Sequence, residues 1–344
     1  MAALLPAEWA PQDAILLTWP HADSDWRRHL SQADRNIAAL AATISRYQLA
    51  VIGCRDDAHR QHVRALLLAA GADIGRCRLY ADVPSNDIWA RDHGPITIYR
   101  DGQPVLLDFR FNGWGDKFPH ALDDRITARL HALGAFGETP LEPVALILEG
   151  GSVETDGAGT LLTTRHCLLN PNRNGLDQAT LEQRLRETLG INRFLWLEHG
   201  HLLGDDTDSH IDTLARFCDA RTIAYQGCDD LADPHYEALH AMADELRAFR
   251  TAAGEPYRLI ELPLPAARRD ERGERLPAGY ANFLILNGAV LVPGYGDPLD
   301  ALARQRLAGC FPEREVVGVP CSTLIRQGGS LHCATMQLPA CAKV

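Results

Sequence analysis

Four short polar clusters carry the residues that could do chemistry in this chain. They are Asn86-Asp87-Ile88-Trp89-Ala90-Arg91-Asp92-His93-Gly94-Pro95, then Leu148-Glu149-Gly150-Gly151-Ser152, then His210-Ile211-Asp212, and finally Gly328-Gly329-Ser330-Leu331-His332-Cys333. A cysteine nucleophile needs a histidine that shuttles protons and stabilises the thiolate. Cys333 follows a glycine pair, which lets backbone approach a ligand closely, and His210 lies two residues from Asp212. On an extended strand those two side chains would point to one side. Asp92, Glu149 and Asp212 add carboxylates. A guanidinium is planar, always charged, and presents forked donors that match carboxylates two at a time. Burying one without such acceptors would cost too much desolvation. Singly, each of these residues reads as a cap, a hairpin end or a core cysteine; the argument rests on their combination.

Other chemistries find less support. His199, His201, Asp205, Asp206, His210 and Asp212 resemble a metal site by composition, but the chain has no HExxH and no zinc-finger spacing. It has no GxSxG for a serine nucleophile and no GK[ST] or GxGxxG for phosphates. The reading therefore expects no metal and no cofactor. A net charge of −11 without a Lys/Arg-rich run argues against a nucleic-acid partner and suits a small cationic guanidinium substrate. No apolar run approaches the length that spans a bilayer, and the first residues lack a basic n-region and apolar stretch, so neither membrane association nor a signal peptide is expected. Nine cysteines without a CxxC read as reduced thiols in a cytoplasmic protein. Assembly into a homo-oligomer is compatible with the sequence and not dictated by it.

The elements that must position these clusters recur. Four stretches read as β-hairpins: Ile96 to Leu107 turning at Asp101-Gly102, Gly151 to Leu169 turning near Asp156-Gly157, Ile211 to Tyr225 turning at Cys218-Asp219-Ala220, and Phe283 to Val292 turning at Asn287-Gly288. Each precedes a helix-like segment and a short strand: 123–133 then 144–148, 177–189 then 193–197, 234–252 then 257–262, and 299–307 then 315–319. Apolar spacing such as Leu181, Leu185 and Leu189 supports the helices. The N-terminal part supplies strands at 14–19, 48–53 and 78–83 and helices near 31–47 and 57–70, and a last strand at 334–338 closes against the first ones. The unit recurs about every 55–70 residues. Five such units round an axis form an α/β propeller with a cavity where unit ends converge. No linker divides the chain, so residues 1–344 read as a single catalytic domain.

Read together, AEWAPQDAILLTWPHADSDWR, NDIWARDHGPI, FNGWGDKF, ILEGGSVETDGAGT, the His210-Ile211-Asp212 stretch, YANFLILNGAVLVPGYGD and GGSLHC resemble the agmatine deiminase family. That family lies within the wider guanidine-modifying superfamily, which also holds bacterial peptidyl-arginine deiminase. The resemblance implies a pentein-type fold, a five-bladed α/β propeller with pseudo-fivefold repeats and a central active site. It implies Cys333 as nucleophile, His210 as general acid/base, Glu149 as the carboxylate supporting the histidine, and Asp92 and Asp212 as guanidinium ligands. Trp89, Asp87 and Asn282 fall in matched motifs near the substrate. The chain departs from the family pattern at GGSLHCATMQLP, where a third glycine and a Gln pair are more usual, and at AGYAN.

The activity so implied is hydrolytic deimination of agmatine to N-carbamoylputrescine and ammonia. Arginine or peptidyl-arginine deimination, amidino transfer, and a non-catalytic propeller that binds polyamines or guanidines are the competing readings. Arginine differs from agmatine by one α-carboxylate, and its capture calls for a placed cation. Arg91, Lys117, Arg165, Arg173 and Arg326 are the cations near the matched motifs. Arg91, on an extended strand beside Asp92, would point away from the pocket.

Overall fold

The computed structural model describes residues 3–340. The chain folds as two compact units. One comprises Ala10–Gly150 and the segment from Cys333 onward; the other comprises the segment ending at Trp9 and Gly151–His332.

The first unit is built on two sheets. In one, the strands run in the order Thr335–Pro339, Gln12–Thr18, Leu49–Gly53, Cys77–Tyr80. The first pair is antiparallel, with Thr335 opposite Leu17, and the others are parallel. Parallel neighbours need crossovers, and helices Leu30–Ser45 and Asp57–Ala69 supply them. Each buries a stripe, Ile37, Leu40 and Ile44 in one and Val63 and Leu67 in the other. Asp56 caps the second by accepting a hydrogen bond from the His59 amide. The other sheet pairs Ile96–Arg100 with Gln103–Arg110 antiparallel and adds Leu141–Ile147 parallel. Its hairpin turns at Asp101-Gly102, both left-handed at φ 52° and 80°, as a two-residue hairpin turn of mirror-image type requires.

The second unit repeats this plan in three small sheets. Each has two antiparallel strands followed by a parallel third: Glu154–Thr155, Thr160–Thr164 and Arg193–Leu197; Ala215–Asp219, Thr222–Gln226 and Arg258–Leu262; Leu284–Ile285, Ala289–Gly294 and Glu315–Pro320. Helices Gln178–Leu189, Tyr236–Ala248 and Asp300–Ala308 make the crossovers. In the first of them Leu181, Leu185 and Leu189 are buried, each contributing about 1.5–3 kcal/mol. The α/β class and the fivefold repetition of a pentein-type chain are thus borne out, as is the pairing of the last strand with an N-terminal one. No helix among the described residues is long and apolar enough to cross a membrane. The eight described cysteines are free thiols, and Cys341 lies outside the described residues.

Two local expectations fail. Ile211–Thr213 is a 3-10 turn, not a strand. Asp205 accepts hydrogen bonds from the Thr207 and Ser209 amides, and Asp208 and Ser209 are left-handed at φ 67°, so the chain enters its hairpin curled rather than extended. Likewise Ala90–His93 is a single helical turn.

Candidate active site

In the first unit the candidates gather around the Arg91 backbone. The Arg91 amide donates to the Cys333 carbonyl at 3.1 Å, which places the Asp92 turn beside the start of the last strand. Gly150, next to Glu149, packs against the same spot: a β-carbon there would lie 2.2 Å from the Arg91 carbonyl oxygen, so only glycine fits. Asp92, Glu149, Cys333 and Trp89 are all buried, Glu149 completely. The Arg91 guanidinium turns to the last strand, donating to Met336 Sδ and to Gln337 Oε1 at 2.5 Å. The extended strand expected to turn Arg91 away from the pocket is instead a helical turn.

Asp92 Oδ2 accepts a hydrogen bond from Trp114 Nε1 at 2.9 Å. Trp114 stands in an uncommon backbone. Gly113, Trp114, Gly115 and Asp116 have φ of 63°, 57°, 91° and 60°, one turn wound left-handed. For residues with a β-carbon this costs about 1–2 kcal/mol each. Asn112 offsets part of the cost: its side chain accepts from the Gly115 amide and its carbonyl from the Asp116 amide. Phe111 and Phe118 meet the indole edge-on, with centroids 5.1 and 5.6 Å away.

Asp87 and Trp89 are held by their own scaffold. Asp87 Oδ1 accepts from Trp26 Nε1 at 2.8 Å and from the Ile88 amide, and Trp26 packs on Trp89 with ring centroids 6.0 Å apart. Burial raises the Asp87 carboxyl to about 6. Asp123, which the sequence did not single out, accepts from the Asn86 and Asp87 amides and is raised by burial to about 8. A hollow of about 650 Å³ elsewhere in this unit is lined by Val51, Leu106, Phe136 and Leu338 among others, and none of the candidates lines it.

The second unit buries His210 and Asp212 completely and Asn282 nearly so. Asp212 Oδ2 lies 2.8 Å from His332 Nδ1. Burial pushes the Asp212 carboxyl upward, but the hydrogen bond and charge of His332 outweigh it and hold the carboxyl below its usual range. Asn282 ties the two segments together: its side-chain amide donates to the Asp212 carbonyl at 3.3 Å and its Oδ1 accepts from the His332 amide at 3.0 Å. The His210 amide donates to Thr207 Oγ1. Arg173 braces that loop by pairing with Asp208 at 2.7 Å and donating to the Thr207 carbonyl. The histidine-rich stretch that resembled a metal site disperses: His199 Nδ1 pairs with Glu245 and Asp205 is engaged in its own turn.

A buried carboxylate set, a buried histidine and a buried free thiol on family-like motifs suit chemistry on a cationic amidine. The family model described as Porphyromonas-type peptidyl-arginine deiminase matches residues 4–339. The chain belongs to that family. As a member of it, the chain is a hydrolase of amidine C–N bonds, in a family whose typical nucleophile is a cysteine. An agmatine deiminase of Pseudomonas aeruginosa (strain LESB58) is 34% identical, over 98% of this chain and 95% of that one. Among solved structures, a candidate arginine deiminase from Porphyromonas gingivalis is 50% identical with a TM-score of 0.92, covering 98% of both chains. A cysteine-to-serine variant of a C. jejuni agmatine deiminase, with substrate bound, is 35% identical with a TM-score of 0.91, covering 99% of this chain and 97% of that one. The family resemblance drawn from the motifs is borne out.

Proposed function

We propose that this deiminase hydrolyses agmatine to N-carbamoylputrescine and ammonia through a covalent intermediate on Cys333, with residues 1–344 serving as one cytosolic catalytic domain. Asp92 and Asp212 accept the guanidinium N–H groups, while Asp87, Trp89 and Asn282 shape the substrate's surroundings. The Cys333 thiolate attacks the guanidinium carbon. His210, as imidazolium, protonates one nitrogen, which leaves as ammonia, and an amidino group remains on sulfur. Neutral His210 then takes a proton from water, whose oxygen attacks the same carbon. Collapse expels the thiolate and yields the ureido product. Covalent catalysis divides one hard step into two, positioning the attacking atom lowers the barrier, and Glu149 favours the charged histidine.

The observation that carries the choice of agmatine concerns cations. A site for arginine needs a positive group for the α-carboxylate. Three of the arginines that could provide it are already committed to carboxylates: Arg165 to Glu198, Arg173 to Asp208 and Arg326 to Glu271. Arginine or peptidyl arginine is the second reading, favoured by the 50% identity to the P. gingivalis chain. Steady-state kinetics on agmatine, arginine and a blocked arginine peptide separate the two. Agmatine is expected to lead arginine in kcat/KM by at least about a hundredfold, the gap an unpaired buried charge produces. Comparable efficiencies, or a preference for the peptide, overturn the substrate assignment.

A further inference from the structure

Behind Asp212 lies a buried chain of charges with no role in the reaction as written. His332 Nδ1 faces Asp212 Oδ2 at 2.8 Å, and its Nε2 faces Glu8 Oε2 at 2.7 Å. Arg216 Nη2 donates to the same Glu8 oxygen at 2.5 Å, and its Nε donates to Glu154 Oε2 at 2.6 Å. The other oxygens are also engaged: Glu8 Oε1 accepts from the Ile285 amide and Glu154 Oε1 from the Phe217 amide. Arg216 donates Nη1 to the Phe283 carbonyl and stacks over the Phe283 ring at 4.9 Å. All five side chains are buried, His332 at 1% exposure and Asp212 and Arg216 at 0%.

With Asp212 and Glu8 both ionised, the geometry calls for one protonation state of the ring between them. A neutral imidazole has one N–H and one lone pair. Between two carboxylates, the bare nitrogen would meet a carboxylate lone pair at hydrogen-bond distance. Both contacts are favourable only if His332 carries both protons. Three carboxylates, Glu8, Glu154 and Asp212, then share the interior with two cations, Arg216 and His332. The five together hold one net negative charge, and a guanidinium brought to Asp212 reduces it to zero.

We infer that Glu8, Arg216 and His332 are positioning residues that act through Asp212: a doubly protonated His332, clamped by Glu8, holds the Asp212 carboxylate ionised and oriented and sets the interior charge to match a monocationic group. This rests on the reading that Asp212 binds guanidinium. Such a residue belongs to binding rather than to chemistry. His332 faces Asp212 and Glu8 directly; Arg216 and Glu154 lie beyond Glu8, His210 acts on Asp212 through its charge, and Asn282 holds the His332 backbone without charge. Removing His332 removes what pulls the Asp212 carboxyl down, so the acidic limb of activity moves to higher pH.

The test combines two measurements on the full chain. Nitrogen NMR of labelled histidine, with the His332 signal assigned by its loss in His332→Gln, reports the ring state of the wild type without reference to catalysis. Imidazolium shifts on both nitrogens through neutral pH are expected; a single neutral tautomer at pH about 7 overturns the inference. Kinetics on agmatine then compare wild type, Glu8→Gln, Glu8→Asp and His332→Gln. For Glu8→Gln, KM should rise at least about tenfold with kcat within about threefold, on the scale of a hydrogen bond to a charged group. Glu8→Asp should recover part of that loss. Wild-type KM in Glu8→Gln also overturns the inference. A wild type that turns over no guanidinium compound defeats the proposed function instead, and the NMR result still decides the state of His332.

Discussion

Trp114 Nε1 donates to Asp92 Oδ2 from a turn wound against the natural hand of L-residues. Backbone strain of this kind persists only where surrounding contacts over-determine it, and here Asn112, Phe111 and Phe118 do so. The product of the strain is one indole N–H aimed at one carboxylate, which fixes the carboxylate's orientation.

Trp114→Phe keeps the ring's packing and deletes that N–H. A hydrogen bond to a charged acceptor contributes about 1.5–3 kcal/mol, so kcat/KM should fall roughly ten- to a hundredfold while thermal stability changes little. Steady-state kinetics beside a melting curve checks both, and unchanged kinetics would remove Trp114 from the positioning of Asp92.

Cys333→Ser should lose nearly all turnover while folding normally, and alkylation of the wild-type thiol should be slowed by substrate. Mass spectrometry of quenched enzyme should find an amidino adduct on Cys333 in the wild type. In His210→Ala the loss should be about 10²–10⁴-fold, the range of a general acid–base group. Activity within a few-fold of wild type in that variant would move the proton transfer to His332 or His93.

Asp92→Asn and Asp212→Asn each remove a charge from a desolvated site and leave the bound cation partly unpaired. A loss of at least about a hundredfold in kcat/KM is expected for each. Near-wild-type kinetics in both variants, with folding intact, would put the guanidinium elsewhere.

Asp123 provides a pH signature unrelated to turnover. Its folded pKa of about 8 stands above the unfolded carboxylate value. The folded state therefore holds a proton that the unfolded chain has released. The resulting stability is fully present below the unfolded value, about 4, and is lost as pH rises through about 8. Asp123→Asn keeps an oxygen for the Asn86 and Asp87 amides and cannot ionise. Denaturant melts at about pH 6 and about pH 9 should show the wild type losing a few kcal/mol and the variant losing less; parallel losses would place the ionisable group elsewhere.

Much of the architecture is legible because its signals are local. Asp101-Gly102 and Asn287-Gly288 mark their hairpins by the backbone conformations those residues tolerate, and Leu181, Leu185 and Leu189 mark a helix by spacing. The helix ends shift by a residue or two where caps decide them, as at Asp177, whose side chain takes the Thr180 amide. What stays hidden depends on distant partners. Gly113 and Gly115 permit a left-handed turn around Trp114, but nothing nearby in sequence says that its reward is a hydrogen bond to residue 92. Glu8 and Asp123 look like surface acids until burial against Arg216 or the Asn86 amide is seen. His210 and Asp212 stand out by their chemistry but do not lie on a strand, since the Asp205 turn that curls them is set by side-chain acceptors and not by apolar periodicity.

The pairing of Thr335–Pro339 with Gln12–Thr18 has a consequence for biogenesis. Gln12–Thr18 waits for a partner made long after it, so the nascent chain cannot complete that sheet while residues 335–339 are still inside the ribosome. The interval leaves an apolar strand with an open edge in the crowded cell, the condition under which strands pair with the wrong neighbour. Circular permutation that joins the present ends and opens the chain at an exposed loop, such as the one at Arg272-Gly273, would bring the two strands close in sequence, with only the short strand Ala3–Leu4 between them. The permuted chain is expected to refold faster, because a closure across most of the chain becomes a short one.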